Sequence, residues 1–455
     1  MNEFNRFKKR LIQPVQSLQP IQPLKPFQPV QPIQPLQPFQ PSPIYKEQKM
    51  KILHINSHDN GGAAIAAIRL HKAMLKSDID SKILLRYKTN YTIPFSYQYT
   101  PPPKNILSRI LNRFNSGKTE TRLDLKYKLK RHFSLLNRND CKISHLPIYK
   151  EADIIIFHSI SNFIALESFL SENTKPIIWT LHDMNSFTGG CHYSESCTKF
   201  TESCNNCPIL KDTEDRNIAE TELYKKINLF AKQNIQIVSP SLWLKQYSEQ
   251  SSCFRSFNHY LIPYSLDTSV FRFYNKKSAR DVLNLPSDKK ILLFICDNIV
   301  DKRKGFDLLV NALDSVDKSK IHVCVAGNNF DANLNIPDLS YFGKIHDEFK
   351  MALLYASSDV FILPSREDNL PNVMLESLCV GTPVIGFSIG GLKDILKTGY
   401  NGVLIDNISS TDLADAITNF INDNWAFDNK NISEVYTDFF SQEKQVKSYM
   451  DTIKL

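Results

Sequence analysis

Apolar runs of five to seven residues recur through most of this 455-residue chain, and each is followed by a stretch with helical spacing. The first series is KILHIN (51–56), DIIIFH (153–158), PIIWTL (176–181) and IQIVSP (235–240). The second is ILLFIC (291–296), IHVCVAG (321–327), DVFILP (359–364) and PVIGF (383–387). Such runs, bounded by polar residues or proline, read as short strands. Parallel strands need a long crossover, which a helix supplies, so the alternation predicts parallel sheets covered on both faces. The two series are joined near LIPYSLDTSVF (261–271), which predicts two doubly wound α/β domains facing one cleft. The expected domains are 50–262, carrying a cysteine-rich insert at 189–210, and 263–455, with the last helix able to cross back to the first domain. In open sheets of this kind ligands bind beyond the carboxyl ends of the strands.

The residues ahead of the first strand are of another kind. Residues 13–43 repeat the unit QPx, with QPIQPLKPFQPV followed by QPIQPLQPFQPS. Proline at every third position removes amide donors and fixes φ, so residues 1–49 are expected to be a disordered or polyproline II extension. No run of 18 apolar residues occurs, so no membrane span is expected. The N-terminus lacks a continuous apolar core and a small-residue cleavage site, which argues against a secretory signal. A cytoplasmic location and reduced thiols are the expectation.

The net charge of +8 is concentrated: residues 104–142 hold eleven Lys or Arg against three acids. Ile106, Leu107, Ile110, Leu111 and Phe114 share one helical face there. This segment reads either as a solvated helix packed on its own domain or as a peripheral contact with the inner face of an anionic membrane. No recognised nucleic-acid module accompanies it, and nucleic acid is not an expected partner.

Three stretches carry chemistry. NSHDNGGAAIAAIRL follows the first strand, and Gly61 and Gly62 let the chain turn into a helix whose first amides form an anion site. It lacks both the GxGxxG and the Walker spacing. Lys302, Arg303 and Lys304 precede Gly305 and a helix start at a strand's carboxyl end, either an arrangement suited to a diphosphate or a solvated basic turn. In FILPSREDNLPNVMLESLCVGTPVIGF, Asp368 lies in a loop and Glu376 eight residues on in a helix. Both carboxylates can accept hydrogen bonds from sugar or ribose hydroxyls.

These residues resemble the retaining glycosyltransferases of family 4, whose GT-B fold pairs two Rossmann-like domains across a cleft. The family's acid, seven residues, then glutamate is matched by Asp368 and Glu376, followed by Val380-Gly381-Thr382-Pro383-Val384. His182-Asp183-Met184 and Thr188 to His192 resemble a subgroup that makes colanic-acid-like exopolysaccharides. The resemblance runs from about residue 51 to the C-terminus. It implies hexosyl-type transfer from a nucleotide diphosphate sugar to an acceptor hydroxyl, glycan or lipid-linked, with retained configuration. It implies that Lys304 meets the diphosphate, Glu376 the ribose and Asp368 the donor sugar. Asn369, Leu370, Pro371 and Asn372 would line sugar and phosphate, His182 would stand near the transferred sugar, and Gly61 and Gly62 would approach the donor. The chain departs at three points. The first acid is Asp, Pro371 removes an amide, and Ile299 stands where many relatives have arginine, so Arg303 would supply the second cation. No catalytic metal is expected. The competing class is a catalytically inactive scaffold of the same fold.

Cys191, Cys197, Cys204 and Cys207 fall within 17 positions, while Cys296, Cys324 and Cys379 sit in apolar runs as small hydrophobes. Cys204-x-x-Cys207 has zinc-knuckle spacing, whereas Cys191-x5-Cys197 is looser, and His192 can replace one thiolate. A structural Zn²⁺ is the expectation for the cluster, against packed free thiols or a redox pair.

Overall fold

Strands β4 (Ile154–Phe157) and β5 (Ile177–Thr180) are apolar at almost every position and buried along their whole length. Alternation is absent because helices cover both faces, as parallel sheets require. The computed structural model describes residues 49–101, 133–136, 141–210, 217–334, 336 and 338–454. The QP repeats and all but a few residues of 104–142 lie outside them. The remaining strands of the first sheet are β1 (Lys51–His58), β2 (Asp80–Tyr87), β3 (Ser96–Gln98), β6 (Ile235–Ser239) and β7 (Asn258–Leu261). Its order is β3-β2-β1-β4-β5-β6-β7, and every pair is parallel.

The second sheet contains β8 (Lys290–Asn298), β9 (Ile321–Asn328), β10 (Leu339–Tyr341), β11 (Val360–Leu363), β12 (Val384–Phe387) and β13 (Gly402–Ile405). Its order is β10-β9-β8-β11-β12-β13, again all parallel. Both sheets begin at a central strand and wind outward in both directions, which leaves a crevice at the carboxyl ends where the winding reverses. Among the described residues no helix is long and apolar enough to cross a membrane.

Large aromatic side chains fill the first core. Trp179 meets Phe157, Phe230 and Phe254 edge-on, with ring centroids 5.4, 5.3 and 5.9 Å away. The second core divides between the two faces of its sheet, with Phe361 and Leu363 on one and Ile362 and Ile385 on the other.

The chain crosses between the sheets twice. It leaves the first after β7, and it returns where helix Gln442–Ile453 lies against helix Gly62–Lys76. Val446 and Tyr449 join the first domain's core beside Ile52, Ile154 and Ile178. The Tyr449 hydroxyl is 2.8 Å from Thr180 Oγ1. The two crossing segments also pair with each other: Leu266 bridges Ser441, and the Leu266 amide donates to Phe440 O at 3.0 Å.

Tyr449→Ala should lower unfolding free energy by about 3–5 kcal/mol, the range for removing a buried aromatic ring. Urea unfolding followed by circular dichroism measures it, and a loss below about 1 kcal/mol would show that the returning helix contributes little.

Candidate functional site

Lys302, Arg303 and Lys304 form a single 3-10 turn after β8. Asp301 caps it, its carboxylate accepting from the Arg303 amide at 3.0 Å. Lys302 is exposed, whereas the other two cations turn toward the loop that follows β11. Lys304 Nζ lies 2.6 Å from Asp368 Oδ2, and Arg303 Nη1 lies 3.6 Å from the same oxygen. Arg303 Nη1 also donates to Glu367 O at 2.9 Å. Burial pushes the Asp368 carboxyl up, but Lys304 and Arg303 together hold it below the usual carboxylate range. Outside this pair, Arg366 grips Asp307 through both terminal nitrogens at 2.8 and 2.7 Å, fastening the loop after β11 to the helix Phe306–Leu313.

Two glycines make this crowding possible. Gly305 has φ 73°, and a Cβ there would stand 1.8 Å from Pro364 O. Gly390, with φ 42°, would bring a Cβ to 1.8 Å from Asp368 O. Only glycine permits both the left-handed backbone and the contact.

The seam between the domains is built on the same loop. Asn369 Nδ2 donates to His182 O at 3.1 Å, and its Oδ1 accepts from the Ser241 hydroxyl at 2.5 Å. Asp394 accepts from the Leu242 and Trp243 amides at 2.7 and 3.2 Å, capping a helix of the opposite domain. Pro371 is the residue before helix Asn372–Val380, so its missing amide costs that helix no internal bond. Leu370 is buried in the second core. Asn372 Nδ2 donates to Gly62 O at 3.1 Å.

Glu376 is buried on this helix. Its Oε1 takes Arg69 Nη2 at 2.8 Å, and its Oε2 accepts from the Tyr355 hydroxyl at 3.1 Å. Arg69 comes from helix Gly62–Lys76 of the first domain and also reaches Glu348 at 2.9 Å. Burial lowers the affinity of Arg69 for its proton, but Glu376 and Glu348 more than restore it.

His182 stands at the end of a row of buried imidazoles. His54 Nδ1 is 3.0 Å from His158 Nε2, and His158 Nδ1 is 3.1 Å from His182 Nε2. The row closes at the Tyr264 hydroxyl, 2.7 Å from His182 Nδ1. Both nitrogens of His182 are therefore engaged within the protein. Burial lowers His182 from the ordinary 6.5 to about 4, so the ring is neutral at pH 7. Its neighbour Asp183 is pushed up by burial but held low overall by His192, whose Nδ1 is 2.7 Å away.

Gly61, Gly62, His182, Arg303, Lys304, Asp368, Asn369 and Glu376 thus gather at the carboxyl ends of β1, β5, β8 and β11 and in the helices that follow. Arg69, Tyr193, Tyr264 and Tyr355 were not singled out from sequence. Arg69 lies seven residues after Gly62 on the same helix, so helical spacing places both on one face and provided a signal. Tyr264, in the crossing segment, carried none. Tyr193 belongs to the insert, and its ring lies 5.3 Å from the Arg303 guanidinium. Ile299 is buried against Gly327 in the second core rather than facing the cations, and Arg303 fills the space beside Asp368. The insert brings Cys191, Cys197, Cys204 and Cys207 to the walls of one pocket.

Residues 275–436 match the family described as glycosyl transferases group 1. The D-inositol 3-phosphate glycosyltransferase of Streptosporangium roseum is 29% identical over 175 residues, 34% of this chain and 40% of that protein. The Mycolicibacterium smegmatis protein of the same name is 27% identical over 168 residues, 34% of this chain and 37% of that one. The matched stretch spans about two fifths of these relatives' length. Among solved structures, the sucrose-phosphate synthase of Thermosynechococcus elongatus superposes with a TM-score of 0.60 at 18% identity. It covers 89% of this chain and 98% of its own. Anabaena Alr3699/HepE, solved in complex with UDP-glucose, gives 0.61 at 16% identity, covering 89% and 99%. These likenesses show the fold: two Rossmann-like parallel-sheet domains in the GT-B arrangement.

Arg69→Ala should cost about 3–5 kcal/mol, because it leaves Glu376 buried without its cation. Adding Glu376→Gln should recover part of the loss, with a coupling of about 0.5–3 kcal/mol in a double-mutant cycle. Additive losses would show the pair to be uncoupled. His182, neutral when folded, takes up its proton more readily when unfolded. Its contribution is therefore complete above pH 6.5 and is lost as pH falls toward about 4. Melting temperature should decline across that window, and the decline should be shallower in His182→Asn; an identical slope would assign the acid sensitivity elsewhere.

Proposed function

We propose that this chain is a retaining glycosyltransferase, moving a sugar from a nucleoside diphosphate sugar to a hydroxyl of a cell-surface polysaccharide or its lipid-linked precursor. The observation that carries the reading is that the loop bearing Asp368, held by Lys304 and Arg303, meets the His182 loop through Asn369 and the Gly61–Gly62 helix start through Asn372. The group 1 match over residues 275–436 supports it, since these cations and both carboxylates lie inside that stretch.

The diphosphate would enter between the cations and the start of helix Gly62–Lys76. That helix has neither a side-chain cap nor an acid in its first turn, so its leading amides are open to an anion. Nothing lies within 4 Å of the position a Gly61 Cβ would take, so the backbone is accessible there. Lys304 and Arg303 are held by Asp368 before any ligand arrives. Their positive charge meets the negative charge that grows on the departing diphosphate, at no cost of reorganisation.

Glu376 would receive the ribose hydroxyls. A carboxylate offers about four acceptor positions. Arg69 and Tyr355 occupy two, so the group can bind a diol while its charge remains compensated. Asp368, with Asn369 beside it, would select the donor sugar. His182 acts by position: its carbonyl holds Asn369, while its ring nitrogens are engaged with His158 and Tyr264. The acceptor would approach beside a pocket lined by His158, Ser161, His182, Asp183 and Ser186. Holding the two substrates together supplies the proximity term.

Lys304→Ala should lower the rate at saturating donor by about 10²–10³-fold, as loss of one donor to developing negative charge does. Glu376→Ala should nearly abolish transfer through weakened donor binding. A panel of nucleotide sugars and acceptors, with product configuration read by proton NMR, checks both. Wild-type kinetics in either folded variant, or an inverted product, would overturn the assignment.

A further inference from the structure

The cysteine-rich insert is the part of the molecule that the proposed transfer leaves unexplained. Cys191, Cys197, Cys204 and Cys207 line one small pocket, floored by Phe133 and Phe200. Cys204 and Cys207 are buried, and Cys191 and Cys197 are partly so. No disulfide joins the described cysteines. The thiols are not drawn onto a common point: among the described residues no three cysteine, histidine or carboxylate side chains are placed to hold an ion. Cys204 and Asn206 adopt positive φ, 55° and 44°, and so wind the Cys204-x-x-Cys207 segment into a tight turn. The Gly189 amide donates to Cys204 Sγ at 3.3 Å, the kind of bond that stabilises a thiolate sulfur. A Cβ at Gly189 would stand 2.3 Å from Ala219 O, so the amide reaches the sulfur only because residue 189 lacks a side chain. A buried cation also lies at hand. Lys226 Nζ is held by Asn185 O and Thr188 O at 2.6 and 2.7 Å, near Cys191 and Cys204. Four thiolates around a divalent ion leave a double negative charge, part of which the Lys226 ammonium, facing the buried Glu222 as well, offsets.

We propose that Cys191, Cys197, Cys204 and Cys207 bind a single structural Zn²⁺ through four thiolates. A closed tetrahedral thiolate set fits zinc, and binding it would draw the four side chains inward from the pocket walls they line. Each cysteine would give up its proton as the ion binds.

The ion's task follows from what adjoins it. His192 and Tyr193 come directly after Cys191. His192 holds Asp183, and its carbonyl accepts from the Met184 amide at 2.9 Å. Tyr193 stacks on Arg303, the second cation beside Asp368. Asn185 Nδ2 donates to Gly190 O at 2.7 Å and fastens the His182 loop to the same strip. A tied knot at Cys191 therefore fixes the platform on which Arg303 and the His182 loop rest. This second step relies on the proposed transfer reaction, whereas metal binding does not.

The test uses the full chain, purified under reducing conditions without a metal-affinity column. Elemental analysis should find about one zinc per chain after gel filtration. A mercurial thiol reagent should release that zinc in step with thiol modification, and a strong chelator should lower the melting temperature. Cys204→Ser with Cys207→Ser should lose the zinc. If that variant fails to fold, the wild-type zinc content still decides the question. Zinc well below one per chain, iron in its place, or disulfides among these four residues would overturn the proposal. Nucleotide-sugar binding measured calorimetrically on the same sample keeps the readings apart: zinc without donor binding sinks the transfer assignment, and donor binding without zinc sinks the metal site.

Discussion

A carboxylate taken out of water must find a cation, and two such obligations organise this molecule. Asp368 is satisfied within the second domain by Lys304 and Arg303, which fixes the loops after β8 and β11 against each other. Glu376 is satisfied across the seam by Arg69, 307 residues away in sequence, which fixes one domain against the other. Removing a partner from a buried pair costs far more than the pair contributes to stability. Such pairs are therefore poor stabilisers and strict positioners. Their location at the crevice points to a site that needs charge held ready.

The neutral histidines satisfy the same constraint by the opposite route. His54, His158 and His182 stack and share hydrogen bonds where charged rings would repel. Burial keeps them uncharged, and the row orients the His182 ring without adding charge to a crevice already crowded with it. The site thus sets the charged loops after β8 and β11 against a row of neutral imidazoles from β1 and the ends of β4 and β5.

The central strands were legible because helices cover both faces of them, so β1, β4, β5, β6, β8, β9, β11 and β12 stand out as apolar runs. The outer strands were not. β2 reads DSKILLRY, with only three consecutive apolar residues between charged ones, because its side chains are partly exposed. β3, β7, β10 and β13 are edge strands of three or four residues. Within the site, Lys304, Asp368 and Glu376 could be found because short local spacing carries them. Arg69 and Tyr264 could not be read as partners, because their contacts are made only after 307 and 82 residues of chain have folded back. The QP repeats and the basic segment are legible as composition alone.

The paired crossing at Leu266 and Ser441 has a mechanical consequence. Were one segment alone to join the domains, it would act as a swivel, free to twist as well as bend. Two segments lying side by side and hydrogen-bonded behave as a strap hinge: they flex across their width and resist torsion. Any opening of the crevice is then steered along one arc, so the rims that part on opening meet again in the same register on closing.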